Sequence, residues 1–260
     1  MKAKKSFGQH FLNNEDIASD IALGLITTSP DQKVVEIGPG RGMLTKYLID
    51  RGFDLKVVEL DRDMIPILHR TFEQLEERII EVDFLKLDLQ NVFGGQPFML
   101  IGNYPYNISS QIVFKMIENR ELIPQMVGMF QKEVAKRIVA TPTSKAYGVI
   151  SVLTQAYYDG EYILDVGNEN FDPPPKVQSG VIRLVRKTTD HEIPHPKLFK
   201  SIVKLAFSQR RKMLRNTMKS LLADSGMLQD KFFTQRPERI SVEKFIWLSN
   251  VVAEHNKGKA

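Results

Sequence analysis

The segment Asn103-Tyr104-Pro105-Tyr106 directly follows the apolar run PFMLIG, so a strand suited to a core ends in an amide, a proline and two phenols. The exocyclic amine of an adenine is a poor nucleophile because its lone pair is delocalised into the ring. The Asn103 side-chain oxygen and the backbone carbonyl of Tyr104 could accept hydrogen bonds from both N–H groups of such an amine and direct its lone pair. Pro105 fixes the chain direction, and Tyr106 could stack on the base. The segment therefore predicts chemistry on an amino group, with a plain turn containing Asn and Pro as the alternative.

A glycine-rich loop, Gly38-x-Gly40-x-Gly42, joins the apolar run KVVEI to a stretch with helical periodicity. Glycines at such a turn permit positive φ and close approach of a ligand, and the start of the next helix offers free N–H groups. A tight turn without a ligand would also explain the glycines. Glu59, 17 residues after Gly42, ends the next apolar run, where a carboxylate can accept hydrogen bonds from two ribose hydroxyls. Loop and acid together favour an adenosine cofactor.

Two adenosine cofactors fit this pattern, a nicotinamide dinucleotide and S-adenosylmethionine. Dinucleotide sites usually show G-x-G-x-x-G, whereas this chain has G-x-G-x-G with a proline inside. Asp83 and Phe84 follow a third apolar run, where the acid could bind an adenine amine and the phenylalanine could cover its ring. A helix N-cap is the alternative role for Asp83. Because the carboxyl ends of parallel strands meet at one edge of a sheet, all four segments are expected to open onto one crevice.

Short apolar runs alternate with helical patterns over the first 187 residues, which favours an α/β fold with a mostly parallel sheet covered by helices. The predicted strands are KVVEIG at 33–38, DLKVVEL at 54–60, RIIEV at 78–82, PFMLIGN at 97–103, QMVGMF at 125–130, GVISVLTQAY at 148–157 and SGVIRLVR near 180. The following segment KTTDHEIPHP reads as a linker. Three stretches with helical periodicity lie beyond it. We therefore expect a catalytic domain over 1–187 and a small helical domain over 197–260.

Composition limits the classes of protein further. The chain has no cysteine and five scattered histidines, so we expect neither disulfides nor a metal site. No apolar run is long enough for a membrane span, and we expect an intracellular, cytoplasmic protein. The net charge is +5, and eleven basic residues stand against two acids from Arg183 to Lys219. This imbalance favours contact with RNA phosphates. The candidate residues are Arg210, Arg211, Lys212 and Arg215, expected on a helix, with a solvated helix face as the alternative.

An ordered set of motifs resembles the ribosomal RNA adenine N6-dimethyltransferases of the KsgA type over residues 4 to about 185. The motifs are KKSFGQHFL, VVEIGPGRGMLT, VVELDRDM, DFLKLD, IGNYPYNISS, MFQKEVAKRI and FDPPPKVQSGVIRL. The resemblance implies a Rossmann-like class I methyltransferase fold with a mostly parallel seven-stranded sheet and S-adenosylmethionine as the methyl donor. It also implies dimethylation of two adjacent adenines near the 3′ end of small-subunit (16S) rRNA, in an immature 30S particle. Nothing in the sequence suggests an obligate oligomer, so we expect a monomer.

The resemblance also assigns roles to single residues. It implies that His10 and Leu12 close over the cofactor, although His10 stands where other members have Asn. The methionine part would lie along the three loop glycines, and Asn103 would face both methyl donor and target amine. Phe171 matches an aromatic residue that holds the target base from the other side. The alternatives without a role in binding or catalysis are a surface position for His10 and a core position for Phe171. Tyr104 stands where the family often has Leu, which should alter the pocket lining and leave the backbone carbonyl in place.

Three functions remain open from the sequence. Small-subunit rRNA adenine dimethylation is favoured. The related large-subunit adenine methyltransferases that confer antibiotic resistance share the core motifs, but the FDPPPKVQSG segment and the basic C-terminal part speak against them. An assembly or transcription factor that keeps the fold as a nucleic-acid-binding module is the third hypothesis. The intact residues Glu59, Asp83 and Asn103 argue against such a decayed site.

Overall fold

The computed structural model of the protein describes residues 9–27, 31–188, 193–222 and 226–257. The chain forms two compact units. The first comprises the described residues of 1–136 and 158–186, and the second those of 137–157 and 187–260. The residues of KKSFGQHFL before Gln9 lie outside the described part, as do 189–192 of the predicted linker.

The first unit is built on a sheet that contains seven strands in the described part of the chain. Its order is β4-β3-β2-β5-β6-β9-β7, and a further pair, β1 and β8, forms a small separate sheet. The strands are β1 (Phe11–Leu12), β2 (Lys33–Ile37), β3 (Asp54–Glu59), β4 (Ile79–Glu81), β5 (Met99–Asn103), β6 (Gln125–Gln131), β7 (Tyr158–Val166), β8 (Phe171–Asp172) and β9 (Ser179–Arg186). From β4 to β6 all neighbours are parallel, whereas β9 is antiparallel to both β6 and β7. The predicted mostly parallel, seven-stranded sheet is therefore confirmed.

Apolar side chains on both faces of the central strands hold this sheet in the core. Val34 and Val35 are successive residues of β2, so they point to opposite faces, and both are fully buried. Strands buried on both faces read as continuous apolar runs, which explains why the sequence pattern identified most of them.

Helices connect the strands of the first unit. They are α1 (Glu15–Leu23), α2 (Thr45–Asp50), α3 (Ile65–Thr71), α4 (Ser109–Glu118) and α5 (Lys132–Ile138), whose last two residues are assigned to the second unit. In α4 the buried residues Ile112, Val113, Met116 and Ile117 recur with the spacing of one helix face. One-turn 3₁₀ helices follow α3 and β4, and the one at Phe84–Lys86 belongs to the site described below. None of the helices in the described ranges combines the length and apolar character that a membrane span requires.

All the regular secondary structure in the described residues of the second unit is helical. It contains α6 (Val149–Gln155), α7 (Pro196–Ser208), α8 (Leu214–Leu222) and α9 (Val242–Lys257), with 3₁₀ turns between α8 and α9. Aromatic residues, buried or partly buried, join these elements. The Tyr147 hydroxyl donates a hydrogen bond to the Ile240 carbonyl at 3.0 Å, and the Phe207 ring lies 5.9 Å from that of Phe245. The predicted helical C-terminal part is confirmed.

Two sequence-based expectations about single elements are wrong. The run GVISVLTQAY at 148–157 was predicted as a strand but forms α6, because an apolar run of this length suits a buried helix equally well. Arg210, Arg211 and Lys212 were expected on a helix but lie in the turn between α7 and α8, and only Arg215 is helical.

The predicted domain assignment stays a prediction, because the compact units concern packing and not function. The compact units differ from the predicted domains chiefly at residues 137–157, which are grouped with the C-terminal residues and not with the rest of 1–187. Contact between α6 and α7 accounts for that grouping.

Candidate active site

A cavity of about 360 Å³ opens in the first unit at the carboxyl ends of β2, β3 and β5. All four segments predicted to meet at this edge contribute to its wall. The lining includes Gly38 and Gly40 with Pro39 and Arg41, then Glu59 with Leu60, then Val82 to Leu85, then Asn103 to Ile108. The N-terminal residues Gln9 to Leu12 also line it. The sequence therefore predicted four of the segments that line the cavity, and the resemblance predicted the N-terminal one, whereas the contribution of Ile21 was not predicted.

Positive backbone φ angles explain the glycine loop. Gly38, Gly40 and Gly42 have φ of +67°, +56° and +83°, which residues with a Cβ rarely adopt. A Cβ on Gly40 would lie 3.0 Å from the Phe11 ring, and one on Gly42 would overlap the ring of Phe72. Gly42 is thus required for packing, and it is not among the residues that line the cavity.

Glu59 is buried at the end of β3, and backbone N–H groups hold its carboxylate. Gly40 N donates to Oε2 at 3.2 Å, and Asp61 N donates to Oε1 at 2.8 Å. Burial raises the pKa of Glu59, and the hydrogen bonds from these backbone groups oppose that rise. The bond to Gly40 joins the acid directly to the glycine loop.

A second buried acid, Glu36 on β2, was not singled out from the sequence. The Thr45 hydroxyl donates to Glu36 Oε2 at 2.7 Å, and the residue lines the cavity. Burial, with a smaller contribution from the charge of Glu59, raises the pKa of Glu36 to about 8. The signal that could have found it is an acid inside the apolar run KVVEIG.

The segment after β4 forms one wall of the cavity. Asp83 Oδ1 accepts a hydrogen bond from Leu85 N at 2.9 Å and so caps the turn Phe84–Lys86. The alternative capping role is therefore present, and Asp83 also lines the cavity. Phe84 is 3% exposed and lines the same wall.

The Asn103 side chain is oriented by a backbone group of the N-terminal segment. Its Nδ2 donates to the His10 carbonyl at 2.9 Å, which leaves Oδ1 as the acceptor that the amide can offer. Both residues line the cavity with Pro105 and Tyr106. The Tyr104 ring instead packs in the core, where its hydroxyl donates to the Val127 carbonyl at 3.0 Å.

Two residues far apart in sequence fix the ring of Tyr106. The His10 imidazole stacks on it with ring centroids 5.5 Å apart, and the Ser179 hydroxyl lies 2.5 Å from its own. Burial raises the pKa of Tyr106. His10 Nδ1 also donates to the Pro173 carbonyl at 2.8 Å, so this histidine is engaged on three sides. Ser179 was not predicted, because only the fold brings it to Tyr106.

Phe171 takes the core position that was the alternative to its role beside the target base. It is 3% exposed, belongs to a hydrophobic core cluster and is not among the residues that line the cavity. In the β1–β8 pair it lies opposite Leu12, which is itself buried and lines the cavity. The role of Phe171 against a target base stays a prediction.

The predicted RNA-contacting residues lie in the second unit. Arg211 and Lys212 are exposed. Arg210 donates to the Lys145 carbonyl at 2.7 Å, and Arg215 is partly buried on α8. Between 193 and 222 the described chain carries eight lysines and arginines and no acid. Among the described side chains of both units, no group of three or more His, Asp or Glu is placed to hold a metal ion.

Known proteins resemble this chain over almost its whole length. The family model described as "Ribosomal RNA adenine dimethylase" matches residues 1–244. A protein of Bacteroides fragilis named ribosomal RNA small subunit methyltransferase A is 51% identical over 98% of this chain and 93% of its own length. A protein of the same name from Flavobacterium johnsoniae is 49% identical over 97% of this chain and 96% of its own length.

Solved structures share the fold. A dimethyladenosine transferase from Plasmodium falciparum superposes with a TM-score of 0.76 at 24% identity, covering 96% of this chain and 98% of that one. The 23S rRNA methyltransferase ErmE gives a TM-score of 0.66 at 24% identity, covering 92% of this chain and 99% of that one. The family match and the relatives near 50% identity decide the assignment: this chain is an enzyme of the ribosomal RNA adenine dimethylase family.

Proposed function

We propose that this enzyme transfers methyl groups from S-adenosylmethionine to N6 of two adjacent adenines near the 3′ end of small-subunit rRNA, in an immature 30S particle. The observation that carries the proposal is Asn103, whose amide nitrogen is bonded to the His10 carbonyl so that Oδ1 remains as an acceptor beside the cavity. The proposed setting is the cytoplasm, where such particles are assembled.

The residues of the cavity fit S-adenosylmethionine. Gly38 and Gly40 leave space for the methionine part against the backbone, and Glu59 offers carboxylate oxygens to ribose hydroxyls. Asp83 keeps one oxygen beyond its capping bond for the adenine amine, and Phe84 provides an apolar surface for the ring. His10 and Leu12 close the same space from the N-terminal side. When bound, the cofactor supplies an electrophilic methyl group, and its sulfur keeps the electron pair of the broken bond.

The chain orients the target amine. Asn103 Oδ1 and the Tyr104 carbonyl accept hydrogen bonds from the N–H groups of this amine, which directs the nitrogen lone pair towards the methyl donor. Tyr106, held by His10 and Ser179, stacks on the base. No strong general base is needed, because the amine nitrogen becomes acidic only once it is alkylated. The rate would come mainly from positioning.

The choice of the small subunit rests on the relatives. Proteins about 50% identical to this chain carry the name ribosomal RNA small subunit methyltransferase A, whereas ErmE is 24% identical and shows the fold alone. The acid-free run at 193–222 suits contact with rRNA phosphates. We propose that this helical part contacts the rRNA and that residues 1–187 carry out the chemistry, in a protein that acts as a monomer.

The test offers methyl-labelled S-adenosylmethionine and two substrates to the purified protein: immature small subunits that lack the modification, and protein-free large-subunit rRNA. Label as N6,N6-dimethyladenosine on the small subunit is the expected result. Label only on large-subunit RNA would make the enzyme one of the large-subunit type. No label on either, together with binding to RNA, would favour a nucleic-acid-binding module.

A further inference from the structure

Lys115 contacts the segment 84–87, part of which forms one wall of the cavity, without lining the cavity itself. It lies on α4, and its Nζ donates hydrogen bonds to the carbonyls of Leu85 at 3.0 Å and Leu87 at 2.5 Å. The same Nζ is 5.3 Å from the centre of the Phe84 ring, within the range of a cation–π interaction. Lys115 itself is not among the described residues that line the cavity.

The two ends of this one-turn wall are fixed by opposite charges. Asp83 accepts the Leu85 N–H, and Lys115 binds carbonyls at the other end of the turn. Carbonyl groups at the end of a helical turn have no hydrogen-bond partner within the turn. A cation there donates hydrogen bonds to them and interacts favourably with the negative end of the turn's dipole. Burial lowers the pKa of Lys115, and the carboxylates of Asp83, Asp88 and Glu118 oppose that change.

The lysine also joins two parts of the site. The α4 helix begins at Ser109, three residues after Tyr106, and so continues from the segment that holds the target amine. Phe84 and Asp83, at the other end of the lysine's contacts, belong to the wall proposed for the cofactor adenine. A side chain that ties α4 to this wall sets the distance between them.

We infer that Lys115 is a positioning residue for the adenine end of the cofactor site: it holds the backbone of 84–87 and the Phe84 ring in the geometry that binds adenine. The inference rests on the proposed cofactor. Loss of the ammonium should weaken cofactor binding, while methyl transfer at saturating cofactor should change little, because Lys115 contacts no reacting group.

The chain provides a matched control in Lys56. Its Nζ donates to the Val92 carbonyl at 2.7 Å and lies 4.8 Å from the centre of the Phe93 ring. Like Lys115, Lys56 contacts a backbone carbonyl and a phenylalanine ring, although Phe93 follows its 3₁₀ turn whereas Phe84 begins one. Val92 and Phe93, however, are not among the described residues that line the cavity.

The experiment measures the Kd for S-adenosylmethionine and S-adenosylhomocysteine by calorimetry in the full-length protein and its K115M, K115R and K56M variants. We expect K115M to raise both Kd values roughly tenfold, a change that corresponds to about 1.4 kcal/mol. K56M should leave them within about twofold, and K115R, which keeps a donor, should recover part of the loss. The kcat of K115M at saturating cofactor should stay within about threefold of the unchanged enzyme.

Three results would overturn the inference. They are a Kd of K115M within twofold of the parent, equal effects of K56M and K115M, or a fall in kcat without a change in Kd. If K115M does not fold, as judged by circular dichroism, the comparison of K115R with K56M decides in the same way. Absence of cofactor binding by the unchanged protein would refute the proposed cofactor itself, a result distinct from these three.

Discussion

The Tyr104 side chain, at a position central to the site, packs in the core, although the residue is one of those that line the cavity. It is 1% exposed, donates to the Val127 carbonyl and lies 5.0 Å from the Phe130 ring. A Cβ built on Gly128 of β6 would overlap the Tyr104 ring. Tyrosine at 104 and glycine at 128 therefore form a complementary pair, which a double-mutant cycle can measure.

Magnitudes follow from these contacts. Gly128→Ala should lower the free energy of unfolding by about 1 to 3 kcal/mol, because a buried ring must move. Tyr104→Leu should cost about 2 to 4 kcal/mol, since it leaves a cavity and removes the hydrogen bond to Val127. Leu leaves room for the extra methyl group. The double variant should therefore be more stable than the sum of the single effects, by about 1 to 2 kcal/mol.

The assay is denaturant unfolding of the four proteins followed by far-ultraviolet circular dichroism, with methyl transfer measured on the folded protein. Tyr104→Leu should keep kcat within about threefold, because only its backbone carbonyl is proposed to meet the target amine. Additivity of the two substitutions within about 0.5 kcal/mol would refute the packing argument. A fall in kcat of more than a hundredfold in Tyr104→Leu would refute the restriction of its role to the backbone.

Three further predictions concern the amide, the buried acid and the basic turn. Asn103→Ala should lower kcat by about 10² to 10³-fold because an acceptor for the target amine is lost. Binding of this variant to small subunits, measured by sedimentation, should remain. Loss of binding with an unchanged kcat would contradict the proposed role of Asn103. Glu36 has a folded pKa raised from 4.5 to about 8, so its contribution to stability is fully present below pH 4.5 and is lost as the pH rises through 8. Relative to the Glu36→Gln variant, the free energy of unfolding should fall by at most about 4 kcal/mol between pH 4.5 and pH 8. If the urea midpoints of the two proteins change in parallel with pH, the pKa of Glu36 is unperturbed. Arg211→Glu with Lys212→Glu should weaken binding to small subunits and flatten its salt dependence, whereas an unchanged salt slope would make these exposed residues a solvated surface.

The sequence predicted most strands of the sheet, because strands buried on both faces are apolar throughout and end in turn residues. The prediction failed where a strand lacks a continuous apolar run, or where a buried helix shows the same kind of run. The edge strand β7 contains Asp159, Gly160 and Glu161, which are unusual in a buried strand, and it was missed. The run at 148–157 is equally compatible with a buried helix.

The same division applies to the site. Residues at the ends of parallel strands could be placed together, because topology brings those ends to one edge. Contacts between distant segments could not be predicted, since no local pattern encodes them. The bond between His10 and Asn103 spans 93 residues, and the one between Tyr106 and Ser179 spans 73.

The bond that orients Asn103 has a consequence for how the sequence can vary. Its acceptor is the main-chain carbonyl of residue 10, which every amino acid possesses, so substitution of His10 leaves the acceptor group in the chain. The position of that carbonyl is set by the pairing of Phe11 with Asp172 and of Leu12 with Phe171. One residue inserted or deleted between 10 and 12 would shift the carbonyl away from the amide. The orientation of Asn103 should thus tolerate an exchange of the side chain at residue 10 far more readily than a change in the length of the N-terminal segment.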